Sequence, residues 1–588
     1  MKKTHFYFLI ASQLFLLTSC NSKKAEADFT QITKAYFEGK NRLNPLEATV
    51  NGASKYNDQL QFEMTDGYRK EQKLFFETTE KSLENVDYDA LTPEEKISFD
   101  IIKWEVSVGK EMLQHPSNLI PLNQFSGTHL TMGQYAGAES AQPFKDEKDY
   151  RNFLKRMDLF AVWMDSAQVY MKKGMAKNLV LPKALTEKLI PQFEEMITAN
   201  PEQHLYFTAV TKFPANLTKE TKDQLTAEYK SAIKERLVPS FQRMVLFLKN
   251  EYLPKSRQTS GIGSLSGGNQ WYTTLAKQWT TTTKSPSEIH ELGLKEVARI
   301  KSEMEKVKNQ VGFKGTIIEF FDFVRNKKEL MPFKSPEEVI ANFEKIHATI
   351  KPNVDKLFAL QPKTPFRIKR TEAFREKTAS AEYVQGAADG SRPGTFYVPI
   401  PDVTHYNYYG DEDLFLHEAI PGHHFQISLQ QENKNLPDFR KFNWFGAYGE
   451  GWALYTESLG TELGLYKDPF QYFGMLSNEM HRAIRLVVDT GIHTKGWTRE
   501  KAIQFSLENE AESEASIVAE IERYMAIPGQ ALSYKIGQLK IRELRDKAQK
   551  ELGKSFDIKK FHQIVLESGV MPLALLEQKV NQWITDSK

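Results

Sequence analysis

The chain of 588 residues is 40% hydrophobic, 12% aromatic and 26% charged, the make-up of a folded protein with room for about two to four domains. That aromatic content excludes a disordered chain, and a formal net charge of +2 gives no basis for the strongly basic face of a nucleic-acid binder. A single cysteine, Cys20, excludes a disulfide framework.

The first segment reads as a processing signal. Lys2 and Lys3 precede an apolar stretch from Phe6 to Leu17, too short to span a bilayer. Leu17-Thr18-Ser19-Cys20 resembles the bacterial lipobox, whose cysteine is lipidated and becomes the first residue of the mature protein. On this reading residues 1–19 are a signal peptide, 20–27 a polar tether, and Cys20 anchors the protein to a membrane of the bacterial envelope. Asn21, where an aspartate would favour the inner membrane, points to the outer one. No later segment is apolar enough to cross a bilayer.

Residues 28–255 read as a helical N-terminal lobe. Residues 94–113 open on acids after a proline and carry apolar residues at three-to-four spacing; 146–173, 183–199 and 219–250 repeat the pattern. The Gly- and Ser-rich stretch KSRQTSGIGSLSGGNQ at 255–270 marks a boundary. It matches neither a dinucleotide-binding glycine fingerprint nor a nucleophile elbow. Helical periodicity resumes at 286–310 behind a Ser-Pro start. Between 365 and 400, PFRIKRTEAF, SAEYVQG and GTFYVPIP are short, β-branched or aromatic, and bounded by Gly and Pro, which predicts a small antiparallel sheet. GTFYV at 394–398 is a candidate edge strand for pairing with an extended peptide. Helices return from about 412 to the end, so the fold class expected is mainly α.

Six of the thirteen histidines, His405, His417, His423, His424, His481 and His493, fall within one short part of the chain. Among them is HEAIPGHH at 417–424. In a His-Glu-x-x-His helix, two histidines one turn apart share a face and can hold zinc, while the glutamate is placed to take a proton from water activated at the ion. Here the second ligand position is Pro421, which breaks a helix. If Pro421-Gly422 bulges out, His417 and His423 restore the frame; if the helix kinks, His424 lies two turns along the same face. The first register is preferred. A third ligand is available in Glu450, 32 residues after Glu418 in the stretch GAYGEGWALYTESLG; Glu457, two turns on, reads instead as a solvent-facing acid.

Taken together, His417 to His424, Glu450-Gly451-Trp452-Ala453-Leu454-Tyr455, Asp489-Thr490-Gly491-Ile492-His493 and the run from Arg523 to Tyr534 resemble bacterial domain-of-unknown-function family 885. That family looks like a distant relative of the helical gluzincin peptidases. The resemblance implies a two-lobed helical fold with the small sheet beside an active-site cleft, a catalytic lobe over 270–588, and one zinc on His417, His423 (or His424) and Glu450. It implies Glu418 as general base, Tyr524 or His493 as donor to the oxyanion, and Tyr534 as a competing donor. The expected activity is hydrolysis of short peptides, with a non-catalytic peptide-binding protein or a hydrolase of another amide or ester as alternatives. Arg482 and Arg485 are candidates for binding a substrate carboxylate or for structural ion pairs.

Overall fold

A computed structural model describes residues 29–137, 140–372, 376, 379–386 and 392–588. Cys20, the signal peptide and the tether lie outside the described residues. Helices account for 69% of the chain, about twice the share usual in globular domains, and the described residues hold one sheet of three strands. The fold is mainly α. Among the described residues no helix is long and apolar enough to cross a membrane. The chain divides into two compact units. One contains the described residues up to Ser260 with Met525–Ile527; the other contains Gly261–Tyr524 and Pro528–Lys588.

In the first unit, helix α1 (Pro93–Met112) starts on a capping box. Thr92 accepts from the Glu95 backbone N–H while the Glu95 carboxylate accepts from that of Thr92, and Pro93 fills the first turn, where no N–H is needed. Helix α2 (Glu147–Met175) is capped by Asp146 and buries Phe153, Phe160 and Trp163. The helix expected over 183–199 ends at Glu194. Over 219–252 the helix continues through two wide turns, Ile233–Leu237 and Leu248–Tyr252. Each comes just before a proline, Pro239 or Pro254, that lacks the N–H a regular helical bond requires.

In the second unit, helix α3 (Pro286–Gln310) repeats the capping box with Ser285 and Glu288. The sheet follows: β1 (Phe366–Arg370), β2 (Glu382–Val384) and β3 (Gly394–Val398), in the order β1-β3-β2. β1 runs parallel to β3 and β2 antiparallel, so the sheet is mixed rather than antiparallel. All five residues of β3 are buried, which places GTFYV at the centre of the sheet and leaves it no open edge. Six helices complete the surroundings of the site: α4 (Asp411–Glu418), α5 (His423–Glu432), α6 (Gly446–Glu457), α7 (Pro469–Thr494), α8 (Glu514–Ala526) and α9 (Leu532–Leu552). α6 and α9 meet at Gly451 and Gly537, where a Cβ on either would run into the backbone of the other helix.

Candidate metal centre

The HEAIPGHH segment is two helices. α4 stops at Glu418, the Ile420–Pro421 peptide is cis, and α5 begins at His423. Gly422 lies so close to the carbonyls of Leu416 and His417 that a Cβ there would collide with both. Helix α6 braces the break. Trp452 Nε1–H donates to the Pro421 carbonyl at 2.9 Å, and the Thr456 hydroxyl donates to the Leu416 carbonyl at 2.9 Å, satisfying an acceptor that the end of α4 leaves without a helical partner. Thus the break is neither a bulge in one helix nor a simple kink.

This arrangement brings three donors together. Nε2 of His417 and Nε2 of His423 lie 3.7 and 3.4 Å from Glu450 Oε2, and the ligand atoms of the three residues are all within 4.8 Å of one another. The two imidazoles stand at 89° to each other. Donors around a tetrahedral zinc at bond lengths of about 2.0–2.2 Å are roughly 3.3 Å apart, so this separation and this donor set fit the ion. Three protein ligands also leave a fourth position for water or substrate.

The surroundings orient the ligands. His417 Nδ1–H donates to Glu457 Oε1 at 2.7 Å, which turns Nε2 toward Glu450. Glu457 is only 1% exposed: the expectation of a solvent-facing acid is wrong, because α6 is buried on nearly every side. Burial opposes a charge on His417, but Glu450 and Glu457 outweigh it and hold the imidazole well above its ordinary pKa. Burial alone would raise Glu450; the two imidazoles more than offset it and hold this carboxylate well below its usual range. These opposing demands favour positive charge between the three side chains. Burial raises Glu418, against the pull of His417 and His423, and its carboxylate accepts from the Tyr383 backbone N–H on β2.

Other expected residues lie elsewhere. His424 points away from the ligand set; its Nδ1 pairs with the Tyr383 hydroxyl at 3.0 Å, its ring packs on Phe366, and burial lowers its pKa to about 4. His493 is fully buried. Its Nδ1 accepts from the Ile262 N–H at 3.1 Å and its Nε2–H donates to the Tyr524 carbonyl at 3.0 Å, so both nitrogens serve the backbone. The Tyr524 hydroxyl donates to Glu520 at 2.7 Å and accepts from Arg485 Nε at 3.1 Å. Neither His493 nor Tyr524 lines the cavity described next, whereas Tyr534 does.

His417, Glu418, His423 and Glu450 open onto a cavity of about 740 Å³ inside the second unit. Helix α7 contributes Asn478, His481, Arg482 and Arg485; α8 contributes Ser516, Glu520 and Arg523; β2, one of the two edge strands among the described residues, contributes Glu382 and Tyr383. The α7 residues are spaced i, i+3, i+4, i+7, a polar stripe on a largely apolar helix that is visible in the sequence. Tyr383 carries no such signal.

A mainly helical protein with two buried histidines and a half-buried glutamate clustered at a cavity is what the fold and the site define. Residues 45–580 match the family described as "Bacterial protein of unknown function (DUF885)", and the chain belongs to that family. Two solved structures are similar over nearly the full length. One, of a candidate lipoprotein from Colwellia psychrerythraea, is 28% identical, covers 96% of this chain and 99% of its own, and has a TM-score of 0.86. The other, of a candidate lipoprotein of unknown function from Shewanella oneidensis, is 19% identical with coverages of 94% and 99% and a TM-score of 0.73, a likeness of fold. No curated protein matches the chain.

Proposed function

We propose that the protein is a zinc-dependent hydrolase of short peptides, attached to the bacterial envelope. The observation that carries the reading is the convergence of His417 Nε2, His423 Nε2 and Glu450 Oε2 at one end of a cavity that also holds the Glu418 carboxylate. A bound zinc would supply Lewis-acid polarisation of water and of the scissile carbonyl. Glu418, beside the ligand His417 and lining the cavity, takes the proton from the attacking water and delivers it to the leaving nitrogen. Tyr534, which lines the cavity, is the donor for the developing oxyanion, in preference to Tyr524, which does not, and to Tyr383, whose hydroxyl pairs with His424. β2, an edge strand of the sheet among the described residues, runs along the cavity wall beside the Glu418 carboxylate. Envelope attachment is supported by the Cys20 lipobox and by the description of both similar structures as candidate lipoproteins.

The test is metal analysis joined to one substitution. The purified protein is expected to carry about one zinc per chain, and Glu418→Gln to retain that zinc while losing hydrolysis of a mixed short-peptide pool by at least about a hundredfold. Undiminished hydrolysis by Glu418→Gln would remove Glu418 as the base. Zinc-free protein that binds peptides without turnover would establish the non-catalytic alternative.

A further inference from the structure

The arginines of the α7 stripe differ in how fully they are bonded. Arg485, 5% exposed, gives Nε to the Tyr524 hydroxyl and Nη2 to Glu520 at 2.8 Å, while its Nη1 has no partner among the described residues. Its guanidinium lies 4.5 Å from the centre of the Tyr534 ring. Arg482, one turn before it, gives Nη1 to Asn478 Oδ1 at 3.0 Å and to the Asn478 carbonyl at 3.4 Å; among the described residues its buried Nε has no partner and no carboxylate lies within ion-pair distance. Both side chains line the cavity that holds the metal cluster.

The carboxylates nearby do not use these donors. Glu520 already takes bonds from Arg485, Arg523 and Tyr524 and an ion pair from His481 at 3.3 Å. Glu510 is engaged by His481 at 2.5 Å, and Glu512 is the remaining acid on this wall. Of the five carboxylates that line the cavity, Glu418 and Glu450 belong to the candidate metal cluster and Glu520 is saturated, and neither remaining acid, Glu382 or Glu512, bonds to Arg482 or Arg485. A planar guanidinium with buried, unmatched N–H groups is suited to a carboxylate, which accepts two such bonds side by side.

We propose that Arg482 and Arg485 hold the C-terminal carboxylate of the peptide, so that the enzyme acts at the carboxyl end of short substrates. This rests on the hydrolase reading of the same cavity. A free C-terminus is a carboxylate every short peptide brings, whereas an acidic side chain is present in only some.

Equilibrium binding separates this inference from turnover. Calorimetry on the zinc-loaded Glu418→Gln protein would compare a free-acid tripeptide, its C-terminal amide, and an amide whose last residue has a side-chain carboxylate. The free acid is expected to bind at least about tenfold more tightly than either amide, and Arg482→Gln to bring the ratio close to one. Arg482→Lys, which keeps the charge without the fork, is expected to fall between and serves if the first variant unfolds. Equal binding of acid and amide, discrimination that survives Arg482→Gln, or a side-chain carboxylate that substitutes fully for the C-terminus each overturns the assignment. Selective binding of the free acid by a wild-type protein that never cleaves it would overturn the hydrolase reading and leave the carboxylate site standing.

Discussion

Tyr524 and Tyr534 are ten residues apart and chemically alike, yet the structure separates their duties. The phenol of Tyr524 is spent on Glu520 and Arg485, away from the cavity wall; that of Tyr534 faces the cavity, with Arg523 Nη2 3.4 Å from its oxygen. Tyr534→Phe is therefore expected to lower kcat about 100-fold with little change in KM, the effect of losing one oxyanion donor. Tyr524→Phe is expected to cost less than about tenfold in kcat but to destabilise the protein by about 1–3 kcal/mol, because a buried carboxylate and guanidinium lose a shared partner. Steady-state kinetics and thermal melts on the two variants distinguish these outcomes; the reverse pattern would return Tyr524 to the oxyanion. From the sequence the two phenols were not separable, since an Arg-Tyr pair says nothing about which way the hydroxyl is drawn. His493 is a similar case: a histidine in a motif suggests chemistry, but only the fold shows the Ile262 N–H and the Tyr524 carbonyl taking both ring nitrogens.

Helix α6 carries a ligand and its support on one face, two turns apart: Glu450 toward the imidazoles and Glu457 against His417 Nδ1. The packing that allows this is glycine on glycine, Gly451 against Gly537, which lets α6 lie close to α9. Glu457→Gln keeps an acceptor for the imidazole N–H but removes the charge that makes Nε2 a stronger donor. Zinc affinity is expected to fall about 10- to 100-fold, read by competition with a chromophoric chelator. Unchanged affinity would show that Glu457 is a packing residue only. Element boundaries were legible where local chemistry decides them: α1 and α3 begin at capping boxes with proline in the first turn, and the break at Pro421-Gly422 follows from residues that cannot continue a helix. Strand order was not legible. β1 and β3 look alike as sequence, and nothing in either marks β3 as the central strand or their pairing as parallel. Nor was the role of Glu457, since a helix buried all round shows no polar stripe from which to infer its facing.

At the scale of the whole molecule, stability records groups that the fold buries far from any chemistry. Asp489, fully buried on α7, accepts from Tyr272 and the Gly529 N–H, but burial dominates and raises its pKa from 3.8 to about 7. A carboxyl raised on folding contributes stability that is complete below its unfolded pKa and is lost as pH rises through the folded value. Between about pH 4 and 7 this group should therefore weaken the protein as pH increases. Calorimetric melts at pH 5 and pH 8 are expected to show a smaller drop in Tm for Asp489→Asn than for wild type; parallel drops would mean that Asp489 ionises in the fold without penalty. The mainly helical class could be read from periodicity, and His417, His423 or His424, and Glu450 could be singled out from spacing together with the family resemblance, whereas the bonding of some buried polar groups depended on partners far along the chain, such as Tyr272 for Asp489. The division of the histidine pair between α4 and α5 has a last consequence. In an unbroken helix, two imidazoles a turn apart are a chelate by local geometry alone, so even a short isolated helix brings them together. Here helix geometry does not set their spacing; the close packing at Gly422 and the bracing by Trp452 and Thr456, more than thirty residues downstream, do so. Zinc coordination by the proposed site would thus be an outcome of completed folding, and a synthetic peptide copying 411–432 is expected to bind zinc no better than unlinked imidazoles.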